Sequence, residues 1–280
     1  MLATDRPADL PDFENPPLVE VVLSVQFSEL RNYRTVHAGL LWQKFRQSYP
    51  KFAEHPNLNP TFEAFGIHSP AQPRFELRQL PGPLVPRLWL INADDTELLQ
   101  FQADRFIHNW RRVKGAEYPR YESLRSRFFE RLGEVETFLQ DEGIGKIEPN
   151  QCEVTYVNMI RLDDQTDIRV RPEVALRVWS AVDLDDSDSF AKLPQMENAG
   201  FSIRYVMKSA EDAPLGRLVV AAQPVGGQPE LRLDLSARGA PDEPSLDAVA
   251  RFFDQGRDAI VRGFTALTTP HMHRVWGRIK

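Results

Sequence analysis

Hydrophobic side chains in the first part of the chain alternate at strand spacing and then recur at helix spacing. Residues 18–27 (LVEVVLSVQF) place every second side chain on one apolar side, which predicts a strand with a core face. Residues 34–48 carry apolar residues three or four positions apart and are followed by Pro50, which predicts a helix. Residues 51–73 contain four prolines and little periodicity, so we expect a long loop there.

Short strand patterns and one long helical pattern complete the first half. Strands are predicted at 74–80, 87–93 and 97–103, and residues 105–112 are a candidate for a further strand. The helix predicted at 119–140 places its apolar residues on a single stripe. It is followed by Gly143, a residue type that is favoured where helices end.

The second half repeats this order of elements. The patterns predict a strand at 151–162, a short helix at 172–182, an acidic loop at 183–198, and strands at 201–208, 216–223 and 230–236. A final long helix is predicted to begin after Ser245 as its N-cap, and a helical turn to begin at Pro270 after Thr269.

The two halves also match residue by residue at one offset. Glu20 falls on Glu153, Glu97 on Glu230 and Arg105 on Arg238, and Arg87 falls on Arg217 at nearly the same offset. The sequence therefore predicts an α+β fold of two β-α-β-β-β(-β)-α repeats, an internal duplication. The boundaries are an extended N-terminal arm at 1–17, a first repeat at 18–145 and a second at 149–280, which could form one fused pseudo-symmetric domain. The alternative is one α+β domain without internal symmetry.

This element order resembles the half-repeat of TATA-binding-protein-like folds. The resemblance implies antiparallel sheets with helices on one face only. The opposite face would then be open to a partner. Since one fold hosts many functions, the resemblance does not indicate DNA binding.

Composition limits the compartment and the partners. The formal charge of −6 gives no general attraction for phosphate backbones, so nucleic-acid binding requires a local basic patch. A single cysteine, Cys152, excludes an internal disulfide and is compatible with a reducing compartment. We find neither a signal peptide nor an apolar run long enough for a membrane span. We therefore expect a cytoplasmic protein without a membrane partner.

The segment 105–114 is the strongest candidate for a binding site. Aromatic and basic residues alternate in it, and as a strand it places Phe106, His108, Trp110 and Arg112 on one face. Such a face could stack bases and contact phosphate, with Arg105 and Asn109 as further contacts. The interpretation we favour is an amphipathic strand whose rings pack in the core and whose arginines remain at the surface.

Two further sets of polar residues are candidates. Glu20 and Glu153 lie at matching points of the two first strands, and carboxylates that meet across a twofold could serve acid-base chemistry. Isolated glutamates on strands are more often exposed or paired with arginine. Tyr156 and Asn158 are interior polar candidates, for which the alternative is a hydrogen-bonded role in the core.

Other patterns give no catalytic residue, metal or cofactor. His271 and His273 are two positions apart, so on a helix they point in opposite directions and cannot chelate together. The loop with Asp183, Asp185, Asp186 and Asp188 lacks the glycine and glutamate of a calcium loop. Phosphate-loop, dinucleotide and nucleophile-elbow motifs are missing from the sequence.

The chain resembles an uncharacterised, sporadically distributed family of prokaryotic proteins of about this length. The residues that carry the resemblance are 15–22 (NPPLVEVV), 100–111 (QFQADRFIHNWR), 118–121 (YPRY) and 149–158 (PNQCEVTYVN). The matching positions of interest are Glu20, Asn109, Trp110, Tyr121, Asn150, Glu153, Tyr156 and Asn158. The resemblance implies no activity. The scattered distribution implies mobile genetic neighbourhoods, including defence systems.

Three hypotheses follow. The sequence favours a non-catalytic binding or assembly subunit with a protein partner, and it is compatible with a homo-oligomer. The second hypothesis is a single-stranded nucleic-acid-binding protein that uses the strand 105–114. The third is an enzyme or small-ligand protein with a cleft between the repeats.

Overall fold

The computed structural model describes residues 6–66, 85–113, 115–162, 168, 172–179, 198–209 and 211–280. Within them the chain forms nine strands, which all belong to one sheet, and four α-helices. The strands are β1 (Leu18–Phe27), β2 (Lys51–His55), β3 (Arg87–Ile91), β4 (Glu97–Gln102), β5 (Arg105–Arg111), β6 (Pro149–Arg161), β7 (Phe201–Lys208), β8 (Pro214–Pro224) and β9 (Glu230–Gly239). The helices are α1 (Thr35–Phe45), α2 (Tyr121–Asp141), α3 (Leu246–Leu267) and α4 (Pro270–Val275).

Every neighbouring pair of strands in the sheet is antiparallel, in the order β2-β3-β4-β5-β1-β6-β9-β8-β7. The first strands of the two halves, β1 and β6, therefore lie side by side at the centre. From β1 outwards the sheet continues through β5, β4 and β3, and from β6 outwards through β9, β8 and β7. In each half, the last strand lies next to the first strand, and the preceding strands follow outwards in reverse order.

The constant sequence offset between the two halves does not pair strands that occupy equivalent positions in the sheet. It sets Glu97 of β4 against Glu230 of β9, although β9 borders the central pair and β4 lies one strand further out. Arg105 begins β5, whereas Arg238 lies near the end of β9. A constant offset fails here because each half has its own strand and loop lengths.

Two predicted elements were wrong. Residues Lys51–His55, expected in a loop, form the edge strand β2, which pairs with β3 along its whole length. Within residues 172–179, the described part of the helix predicted at 172–182, the chain instead forms two 3₁₀ turns, Pro172–Val174 and Arg177–Trp179. Between the turns, Leu176 is fully buried and forms a β-bridge with Thr268, which interrupts helical hydrogen bonding. The strand predicted at 74–80 and the four aspartates of the predicted acidic loop lie outside the described residues.

The helices cover one face of the sheet. Val21, Leu23 and Val25 of β1 point to this face and are buried. The Phe128 ring of α2 lies 5.3 Å from Phe106 of β5 and 4.9 Å from Phe253 of α3. The predicted caps are confirmed, because the hydroxyls of Ser245 and Thr269 accept hydrogen bonds from Ala248 N and Met272 N. Each large apolar side chain buried in this layer contributes roughly 1.5–3 kcal/mol.

The N-terminal arm packs against the end of the chain. Phe13 forms a β-bridge with Arg278, and its ring lies 5.5 Å from Phe264. Leu10 and Phe13 are buried, so this part of the arm belongs to the core. None of the helices in the described residues is long and apolar enough to cross a membrane.

Candidate functional site

The face of the sheet opposite the helices is rich in arginine. Residues that pair across neighbouring strands share a face, so the register assigns each strand side chain to one side. The arginines assigned to the uncovered face of the described strands are Arg87, Arg105, Arg111, Arg161, Arg204, Arg217, Arg232 and Arg238. The carboxylates there are Glu20, Glu153, Glu230 and Asp234. This face therefore carries an excess of positive charge on a chain whose formal charge is −6.

Amides hold a glutamate at the centre of this face. Gln100 Nε2 donates to Asn109 Oδ1 over 2.8 Å, and Asn109 Nδ2 donates to Glu20 Oε1 over 2.7 Å. Beside Glu20 lies an open cavity of about 450 Å³, whose lining includes Arg111, Met159 and Arg232. The cavity combines fixed hydrogen-bonding groups with arginines at its rim, as is common at protein interfaces.

The predicted carboxylate pair does not form. Val22 pairs with Thr155 at the centre of the sheet, and Glu20 and Glu153 each lie two residues before their member of that pair. In antiparallel strands this puts the two glutamates on opposite sides of the Val22–Thr155 pair, four residues or about 13 Å apart along the strands. Glu153 accepts a hydrogen bond from Arg238 Nε at 2.6 Å, so each carboxylate has its own partner.

A segment of the chain itself crosses the uncovered face. Residues 56–66, which we call the strap, run in an irregular conformation from the end of β2. Gln102 Oε1 accepts from Leu58 N over 2.9 Å, and Gln102 Nε2 donates to Leu58 O over 2.9 Å. Thr61 N donates to Gln26 Oε1 over 2.9 Å. Side chains of the sheet thus bind main-chain atoms of the strap.

The strap contacts two arginines of the sheet through Glu63. Glu63, whose side chain is 8% exposed, accepts a hydrogen bond from Arg217, and Arg238 Nη1 lies 3.7 Å from Glu63 Oε1. Arg217 also donates to Ala64 O at 3.0 Å and lies over the Phe65 ring, 5.2 Å from its centre. Such charge-assisted contacts are the strongest hydrogen bonds that the strap makes.

Arg105 lies beneath the strap. It donates to the Gln26 side chain and, over 3.1 Å, to Asn59 O. Burial lowers the pKa of Arg105, and the nearby charge of Arg238 acts in the same direction, although Asp104 and Glu153 oppose both.

The aromatic candidates of β5 lie on the other face. The alternation predicted that His108 and Trp110 share a side with Phe106, and this is the buried, helix-covered side. The Trp110 ring packs 5.3 Å from Tyr118. These rings present no surface for stacking bases. Arg112 follows β5 and donates to Pro16 O at 3.5 Å, in contact with the arm.

His108 belongs to a buried cluster around Glu97. His108 Nε2 lies 3.6 Å from Glu97 Oε2, Tyr49 donates to the same oxygen at 3.0 Å, and Arg127 binds the other oxygen. Burial raises the pKa of Glu97, but the His108, Arg127 and Tyr49 contacts outweigh it and lower the pKa to about 2. The cluster therefore holds a charged carboxylate within the core.

The remaining candidates are structural in their contacts. Tyr156 shares a hydrogen bond of 3.2 Å with Tyr118, and Asn158 donates to Leu233 O at 3.1 Å. Both line a cavity of about 60 Å³ between the arm and α3. Cys152 is buried, and burial raises the pKa of its thiol. Among the described residues no group of three or more side chains is placed to hold a metal ion.

Sequence reasoning missed the residues that bind the strap. Arg217 and Arg238 were noted only as repeat-related positions, and Gln26, Gln102 and Glu63 were not considered. Part of the signal was present, because polar residues, including Arg232 and Arg238, alternate with apolar residues along β9. The sequence does not show that the strap crosses this face of the sheet.

Comparison with models of known protein families found no match, and a search of curated proteins also found none. The geometry of the uncovered face is therefore the best indication of function.

Proposed function

We propose that the protein is a non-catalytic binding subunit that takes an extended segment of a protein partner on the uncovered face of its sheet. One observation carries this proposal: the face already holds an extended segment, the strap, through side chains that bind its main chain. A surface that contacts main-chain N–H and C=O groups suits a peptide.

The chemistry of the face supports a protein partner. Arginine is enriched at protein interfaces because its planar group can bind carboxylates and carbonyls in fixed geometry. Beside the strap, the described residues leave a cavity whose lining includes Arg111 and Arg232. A segment could enter that cavity without displacing the strap.

The order of strands supports the finer fold proposal. Because β1 and β6 are central and each half adds its strands outwards, we propose two fused repeats, 18–145 and 149–280, on a plan like that of TATA-binding-protein-like folds. We also propose membership of the sporadic prokaryotic family, with a cytoplasmic role in a mobile or defence-type operon. A partner would then be encoded nearby.

Purification with a tagged chain from its host tests the binding proposal. We expect a stoichiometric partner that is lost with the double variant Arg111→Glu and Arg232→Glu. Lys44→Glu, the same charge reversal on the exposed side of α1, should retain the partner. A chain that remains alone at micromolar concentration, or a partner equally retained by all variants, would contradict the proposal.

A nucleic-acid ligand is the second candidate, because eight arginines of the described strands share one face. Anisotropy with a labelled single-stranded RNA would then show binding that weakens steeply with salt. Loss in the Arg111→Glu and Arg232→Glu variant, without loss in Trp110→Ala, would identify the uncovered face as the site. Salt-independent or undetectable binding removes this candidate.

A further inference from the structure

The contact of Glu63 with Arg217 and Arg238 indicates what kind of segment the face selects. We infer that the strap is an internal competitor for an acidic, extended segment of the partner, whose carboxylate replaces Glu63 between these two arginines. This inference rests on the proposed function, and it names the chemistry of the ligand.

The two arginines need an anion. Glu63 is shielded from solvent by its partners, and a half-buried guanidinium that loses its carboxylate is costly to leave unpaired. Arg238 retains Glu153 at 2.6 Å when Glu63 departs, whereas Arg217 has Glu63 as its carboxylate partner. An incoming ligand must therefore supply a carboxylate, chiefly for Arg217.

The remaining contacts bind main-chain atoms of an extended segment, so they do not depend on the identity of its side chains. Gln102 binds both the N–H and the C=O of Leu58, and Gln26 binds the N–H of Thr61. Any residue offers these groups except proline, which lacks the N–H. A matching ligand carries its acidic residue five positions after the residue held by Gln102, a distance of roughly 17 Å in an extended chain.

The contacts of the strap allow another segment to displace it from the sheet. Its described contacts with the sheet are made by side chains of the sheet, in place of the main-chain ladder that joins true strands. Phe62 in its middle is 61% exposed and contributes little buried apolar area. Its strength as a competitor comes from being tethered to the same chain, which gives it a high effective concentration.

A peptide with the sequence of the strap, PNLNPTFEAFG, provides the probe. We would measure its binding by fluorescence anisotropy to the full-length protein and to Glu63→Arg, which repels the strap from the arginines. We expect binding at least about tenfold tighter for Glu63→Arg than for the wild type, because the tethered competitor is removed. Glu54→Arg, a charge reversal on the exposed edge strand β2, should behave like the wild type.

Two further measurements locate the contact. A peptide with glutamine in place of its glutamate should bind Glu63→Arg at least about tenfold more weakly, as should the normal peptide when Arg217→Glu is added. If Glu63→Arg does not fold by circular dichroism, Glu63→Gln replaces it. In the wild type, hydrogen exchange at Leu58 and Thr61 should accelerate when the peptide is added in excess.

Several outcomes would overturn the inference. The first is that neither Glu63 variant binds the peptide. The second is that the peptide binds equally well when its glutamate is replaced by glutamine. The third is that Glu63→Arg binds single-stranded RNA and does not bind the peptide. A partner captured through Arg111 and Arg232 with no peptide binding would refute only this inference. Peptide binding that depends on its glutamate, without any captured partner, would support the selection of an acidic segment by Arg217 and contradict the proposed function of binding a partner.

Discussion

The two faces of the sheet use their side chains in opposite ways. On the covered face, the rings of Phe106, Phe128 and Phe253 pack together, Phe128 and Phe253 edge to face, and ionised groups are confined to clusters such as that of Glu97. On the uncovered face, arginines and amides hold each other and the strap. The same strands thus supply the core with one set of side chains and, in the proposed function, the binding surface with the alternate set.

This division can be tested by substitutions on each face. Changes on the covered face should reduce the free energy of unfolding and leave binding by the folded fraction intact. Changes on the uncovered face should reduce binding and leave the free energy of unfolding nearly unchanged. The effects on stability are expected to decrease in the order given below.

The largest effect is expected for Phe128→Ala. Phe128 is fully buried between β5 and α3, so its removal leaves a cavity and should cost about 3–5 kcal/mol. Urea unfolding measures the loss. Phe129→Ala, at a partly buried neighbour on α2, is the matched control and should cost less. Equal costs would contradict the assignment of the core.

Glu97→Gln should destabilise the fold at pH 7 by at most about 3 kcal/mol, since the pKa of Glu97 is lowered from an ordinary 4.5 to about 2 and its partner Arg127 is partly exposed. A lowered carboxylate pKa stabilises the fold above the unfolded value and is lost as pH falls through the folded value. The wild type should therefore lose this advantage between about pH 4.5 and 2. Urea unfolding across that range checks it, and a constant difference between the two proteins would refute the role of the charge.

Gly256→Ala should cost about 1–3 kcal/mol, because α3 approaches the sheet closely at this residue. A Cβ on Gly256 would lie 3.1 Å from that of Ala237 and 3.3 Å from Val154 Cγ2. Thermal unfolding provides the measurement. Gly133→Ala on α2, where a Cβ meets no atom within 4 Å, is the control and should be neutral or stabilising.

The smallest effect on stability is expected for Arg232→Ala on the uncovered face. Arg232 is partly exposed and pairs with Asp234 of its own strand, an arrangement worth about 0–1 kcal/mol. Partner capture should nevertheless weaken, because Arg232 lines the open cavity. A loss of stability comparable to that of Phe128→Ala would break the comparison between the faces.

Local patterns predicted much of the fold and little of the site. The stripes of α2 and α3 and the alternation of β1, β6 and β9 depend on neighbouring residues, which the sequence displays directly. The strand β2 was missed because KFAEH has no apolar alternation and gains its place only by pairing with β3. The specific plan of two repeats stays a proposal.

The site depends on contacts between distant parts of the chain. Glu63 and Arg217 are 154 residues apart, and no local pattern relates them. Glu20 and Glu153 were correctly placed on the first strand of each half, but their separation follows from the antiparallel register, which the sequence does not display. Whether His108 and Trp110 are buried depends on which face of the sheet the helices cover, and the sequence does not display this.

The pairing of the arm with the last residues has a practical consequence for engineering the chain. Asp12 N donates to Lys280 O at 3.3 Å, and Ile279 N donates to Asp12 O at 2.9 Å, so residues 12 and 280 are neighbours. A covalent link between residues 12 and 280 would therefore span a short distance, and it would fix the arm against the segment that follows α4 without changing any strand pair.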